Sequence, residues 1–90
     1  MRRASRVDAN QRAIVLALRR AGASVQLLHT VGAGCPDLAV GFRGENYLLE
    51  CKTPAGQLTP AEREWHAQWR GQRAVVRSAD EALRAIGAME

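Results

Sequence analysis

The sequence predicts an α/β layer fold with the element order α-β-β-β-α-β-α, in which helices flank a small mixed sheet. Three observations predict it. Ile14, Val15, Leu18 and Ala21 recur at helical spacing near the start. Two apolar runs flank Arg43-Gly44 and read as antiparallel strands joined by a tight turn. Two capping boxes, Thr59-Pro60-Ala61-Glu62 and Ser78-Ala79-Asp80-Glu81, bracket one short apolar run, so a βαβ-like return follows the hairpin.

Each element has its own signal. Residues 1–7 hold three Arg and read as a basic arm ahead of a single domain over residues 8–90. The first helix starts near Asp8 or Asn10, both good caps, and ends at Gly22. Residues 24–31 form a strand with β-branched ends, and Gly32-Ala33-Gly34 breaks it. Residues 36–40 and 46–52 are the hairpin strands, and residues 53–58, with Pro54 and Gly56, are a loop. The next helix has Pro60 at its first position, carries Trp65 and Trp69 one turn apart, and stops at Gly71. Residues 73–77 are a strand, and the last helix runs from its Ser78 cap to Gly87.

Ninety residues make one domain with one core. A composition of 47% hydrophobic and 24% charged residues excludes a disordered tail, a collagen-like chain and a disulfide scaffold. The longest aliphatic run, residues 13–18, is too short to span a membrane or to form the core of a secretory signal behind Met1-Arg2-Arg3. Two cysteines, Cys35 and Cys51, suit reduced thiols, so the expected location is intracellular, either cytoplasmic or nucleoid-associated. The net charge is +4, and of 13 basic residues 12 are Arg; Lys52 is the only lysine. Such an excess suits a polyanionic partner. An Ala- and Arg-rich composition also arises from coding bias, so charge alone does not assign that partner.

The chemistry concentrates in Cys35-Pro36-Asp37-Leu38 and Leu49-Glu50-Cys51-Lys52. Glu50 and Lys52 are two apart on a strand and share a face. A two-residue turn at Arg43-Gly44 places Leu38 opposite Leu49, Val40 opposite Tyr47 and Asp37 opposite Glu50. Two carboxylates and one ammonium then meet at one end of the hairpin. Facing carboxylates repel, and a divalent cation reverses that sign. Asp37 and Glu50 are thus candidate Mg²⁺ or Mn²⁺ ligands, with the Cys51 backbone carbonyl as a further oxygen. Lys52 supplies a point charge able to orient water or neutralise phosphate. A surface hairpin with Lys52 bridging one carboxylate is the competing reading.

The spacing resembles the PD-(D/E)XK nuclease motif: Pro36-Asp37, then Glu50-Cys51-Lys52. The strings Gly34-Cys35-Pro36-Asp37-Leu38 and Gly56-Gln57-Leu58-Thr59-Pro60 resemble small stand-alone VRR-NUC (virus-type replication and repair nuclease) members common in phages. The resemblance runs from about Asp8 to Gly87. It implies a restriction-endonuclease-like core and a Mg²⁺- or Mn²⁺-dependent phosphodiesterase, with Asp37 and Glu50 holding metal and Lys52 assisting the attacking water. It also implies a homodimer, branched DNA such as Holliday junctions as substrate, and a phage or prophage setting. Many such nucleases carry a Glu on the first helix. Here Gln11 occupies the inward stripe with Ile14, Val15 and Leu18, with Asp8 as a substitute.

Gln57 is a second accessory candidate, and Arg43, Arg63 and Arg70 are candidate DNA contacts. Glu62 reads as a capping residue. Trp65 and Trp69 read as core or dimer contacts rather than base-stacking groups. His29, His66, Cys35 and Cys51 lack zinc-ligand spacing, and nothing marks a Cys–His nucleophile. The expected function is a metal-dependent DNA endonuclease. A non-catalytic DNA-binding module that kept the fold is the alternative, with Gln11 in its favour; a purely structural phage or mobile-element protein is a third.

Overall fold

The first helix, α1 (Arg6–Arg20), buries Ile14, Val15 and Leu18 along one stripe. The computed structural model describes residues 6–90, the first two by their backbone alone. The first five residues of the expected basic arm lie outside the described residues, and Arg6 and Val7 already belong to α1.

Four strands follow the predicted order: β1 (Ser24–Leu27), β2 (Leu38–Phe42), β3 (Glu45–Cys51) and β4 (Arg73–Val76), with α2 (Pro60–Gln68) between β3 and β4 and α3 (Ala79–Ala85) at the end. The sheet order is β1-β2-β3-β4. The first three strands are antiparallel, and β4 lies parallel to β3. The crossover through α2 makes that parallel pair possible.

The turn at Arg43-Gly44 has φ of 52° and 81°, the doubly left-handed form that matches strand twist. It sets the register read from the sequence, with Leu38 opposite Leu49 and Val40 opposite Tyr47. The β1 strand is shorter than expected. The Leu28 amide donates to the Asp37 carbonyl at 2.8 Å, and the chain then turns through a bond from the Val31 amide to the Leu28 carbonyl. Likewise α2 ends at Gln68, because Trp69 is extended while its amide still caps the Trp65 carbonyl. Both second-half helices start where predicted, with the Thr59 and Ser78 side chains accepting from the amides of Glu62 and Glu81, but only the first capping box closes: Glu81 Oε1 accepts the Arg77 amide at 2.8 Å rather than that of Ser78.

Alternation divides the sheet into two faces. Leu38, Val40, Leu49, Cys51 and Val76 point to one face and form the core with Ile14 and Leu18 from α1, Ala82 from α3 and Ile86 at the end of α3. Ala39, Gly41, Asn46, Leu48 and Glu50 point to the other. The N-terminus of α2 meets this second side. Gly34 (φ 80°) lies so close to the Ala61 carbonyl that no side chain fits between them. The rest of this face is an open groove of about 660 Å³ between β1–β3 and Trp69-Gly71-Gln72, and none of its lining residues carries a charge. No described helix is long and apolar enough to cross a membrane.

Candidate active site

The β2–β3 ladder ends at Leu38 and Leu49, one step short of Asp37 and Glu50. Asp37 continues it with its side chain. Its Oδ2 accepts the Cys51 amide at 2.8 Å, while its backbone carbonyl accepts Leu28. The carboxylate is thus fixed by the strand that carries Glu50.

Glu50 is 2% exposed, and its Oε1 has no hydrogen-bond partner. Burial pushes its carboxyl up to about 9, assisted by a hydrogen bond and repulsion from Asp37 and by the charge of Glu62; Lys52 offsets this only in part. The group is a buried acid facing a second acid.

Lys52 Nζ lies 3.8 Å from Glu50 Oε2 and 2.8 Å from Glu62 Oε1. Burial works against its charge, but Glu62, then Glu50 and Asp37, outweigh that and hold the ammonium above its ordinary range. Burial likewise works against the Glu62 carboxylate, and Lys52 and Thr59 outweigh it and hold the group below its ordinary range. The Lys52 backbone is fixed at both ends. Its amide donates to the Val76 carbonyl at 3.0 Å, and its carbonyl accepts Asn10 Nδ2 at 2.8 Å. Arg77 Nη1 then gathers the following loop, donating to the carbonyls of Thr53 at 2.9 Å and Gly56 at 2.7 Å.

The structure therefore brings Asp37, Glu50 and Lys52 together, with the Cys51 backbone between the last two. Gln11 lines a groove of about 460 Å³ with Val15, Leu16 and Leu27, where α1 meets β1. From α1 it is Asn10 that reaches the end of β3. Gln57 is exposed in the loop that Arg77 gathers. Arg63 and Arg70 are exposed at α2 and just beyond it. Arg43 sits in the hairpin turn with its guanidinium 4.8 Å above the Phe42 ring. At about 3.3 Å per strand residue, that turn is roughly 20 Å from Glu50.

Sequence reasoning missed three contributors: Asn10, Arg77 and the pairing role of Glu62. Asn10 and Glu62 looked like caps, and Arg77 was one Arg among many. The one advance signal was that Asn10 falls one turn before Ile14. Cys51 is buried and its thiol is pushed up to about 12 by burial, with Asp37 and Glu50 adding to this, which makes it a poor nucleophile. Burial and the same carboxylates raise Cys35 as well. His66 is buried under Trp65, and His29 is exposed.

The donor set fits a hard divalent cation. Two carboxylates face each other, and one buried oxygen, Glu50 Oε1, lacks a partner. Among the described residues no three His, Cys, Asp or Glu side chains are grouped to hold a metal. Two protein carboxylates leave the rest of an octahedral shell to backbone, water or phosphate oxygens.

No protein-family model matches the chain, and no curated protein matches it. A solved structure described as a VRR_NUC domain does match. It is 25% identical, the match covers 92% of this chain and 96% of that one, and the TM-score is 0.76. The chain thus has the VRR_NUC nuclease-like fold, and the match agrees with the resemblance that its motifs carry.

Proposed function

We propose that the chain is a Mg²⁺- or Mn²⁺-dependent endodeoxyribonuclease acting as a homodimer on branched DNA such as four-way junctions. The observation that carries this reading is the buried Glu50 facing the half-buried Asp37, with Lys52 beside them. Asp37 and Glu50 would hold the ion, with the Cys51 carbonyl. Bound there, the ion supplies Lewis acidity toward the phosphate and a more acidic water.

The chain's own residues do the rest. Asp37, tied to the Cys51 amide, keeps its carboxylate aimed across the hairpin end. Lys52 presents a fixed ammonium where negative charge builds on the phosphate during in-line attack. The water oxygen bonds to phosphorus and gives up a proton to solvent, the ester bond opposite it breaks, and the departing oxygen takes a proton from solvent. Arg63, Arg70 and Arg43 supply backbone phosphate contacts. The uncharged sheet groove beside Trp69 supports self-association, since interface centres are depleted of charge and rich in aromatics. Two copies bring two sites, as cutting two strands requires.

The test is cleavage of a labelled four-way junction, a flap and a plain duplex with Mg²⁺, with Mn²⁺ and with chelator. Metal-dependent cutting that favours the branched substrates is expected. Tight binding without cutting under every condition supports instead a DNA-binding module on the same fold.

A further inference from the structure

The Lys52 ammonium is nearer to Glu62 on α2 than to Glu50 on its own strand, 2.8 Å against 3.8 Å. Glu62 is itself held firmly. Its Oε1 accepts the Thr59 amide at 2.8 Å, and its amide donates to Thr59 Oγ1 at 3.1 Å. A carboxylate locked in a capping box has little rotamer freedom left to lose. The side chains of Lys52 and Glu62 are 17% and 19% exposed, so the pair is largely sheltered from water and salt. The same helix end abuts Gly34 in the segment leading to Asp37, so α2 is placed against two parts of the site at once.

We propose that Glu62 is a positioning residue that fixes the Lys52 ammonium beside the Asp37–Glu50 pair, so that a helix cap doubles as part of the active-site scaffold. Its catalytic consequence rests on the nuclease reading; the geometric claim does not. A flexible lysine aimed by one neighbour alone would sample several rotamers. With Glu62 in place, the ammonium is held between the side chains of Glu50 and Glu62, on different elements.

Glu62→Gln separates the two roles. Glutamine also completes a capping box, so helix and fold survive, while the charge that holds Lys52 is lost. The expected result is a melting temperature close to wild type, a kcat for junction cleavage lower by about 10- to 100-fold, and a nearly unchanged KM. In a Lys52→Ala background the same substitution should cost nothing more, because its target is gone. Lys52 is the only lysine, so amine-acylating reagents read it directly by mass spectrometry in the metal-free protein. Acylation of Lys52 should be several-fold faster in Glu62→Gln than in wild type. Equal acylation rates, or an equal cost of Glu62→Gln with and without Lys52, would overturn the proposal. Wild type that cuts no DNA refutes the nuclease reading, and the acylation comparison still decides the role of Glu62.

Discussion

The carboxylate of Asp37 takes the next rung of the β2–β3 ladder, receiving the Cys51 amide at 2.8 Å where a backbone carbonyl would otherwise sit. That bond holds a charged group against the buried Glu50. Metal should therefore register in stability. A Mn²⁺ concentration tenfold above Kd adds roughly 1.4 kcal/mol, or about 5–10 °C in melting temperature for a domain of this size. Calorimetry should show that rise in wild type and not in Asp37→Ala.

The pH dependence has a definite sign. Glu50 titrates higher in the fold, near 9, than in the open chain, near 4.5. Its protonated form favours the fold, so metal-free protein should lose stability as pH rises from about 5 toward 9. Glu50→Gln, which mimics the protonated acid, should flatten that loss. Urea unfolding at several pH values in chelator checks both; a flat wild-type profile would count against a buried acid at Glu50.

Lys52 separates chemistry from binding. Lys52→Ala should lower junction cleavage by about 10²–10³, the usual cost of one positioned electrostatic group, with DNA affinity nearly intact. Lys52→Arg should fall too, because the larger fork does not fit a space measured to Glu62 and Glu50. Undiminished cutting by Lys52→Ala would refute the mechanism.

The uncharged groove makes a separate claim about assembly. Trp69 is 44% exposed and stacks on Trp65 at 4.7 Å, beside the Leu48 side of the sheet. Leu48→Arg and Trp69→Arg should each give a folded monomer, read by sedimentation with circular dichroism as the control. Wild type sedimenting as a monomer at high protein concentration would remove the dimer from the reading.

Arg77 should prove structural. Its Nη1 serves two carbonyls in the loop after Lys52, and bonds from a charged donor are worth about 1.5–3 kcal/mol each. Arg77→Ala should cost roughly 2–4 kcal/mol in chemical denaturation. Faster hydrogen exchange should appear in the loop before it appears in β3.

The hairpin and its acid pair were legible because their signals are local. The turn at Arg43-Gly44 and the alternation of Leu38, Val40, Tyr47 and Leu49 define one register, and that register carries Asp37 to Glu50. The α2 and α3 starts were legible for the same reason, since each cap closes within three residues. What escaped depends on distant groups. The role of Asn10 comes from the carbonyl of Lys52, and the second role of Glu62 from the residue that follows a strand on another layer. Gln11 shares a stripe with core residues, yet the stripe's edge meets β1. Helical spacing names a face and does not say what it touches.

The parallel pairing of β3 with β4 sets an order of assembly. The β2–β3 hairpin closes over two residues, whereas Cys51 meets Val76 only after the whole α2 crossover is laid down. Closing the longer loop costs more chain entropy, and non-local pairing is slower. The two carboxylates therefore meet early in folding. Glu62 and the Val76 carbonyl reach Lys52 only with the crossover. Until then Lys52 is untethered, so the site matures last in the segment where its ligands meet first.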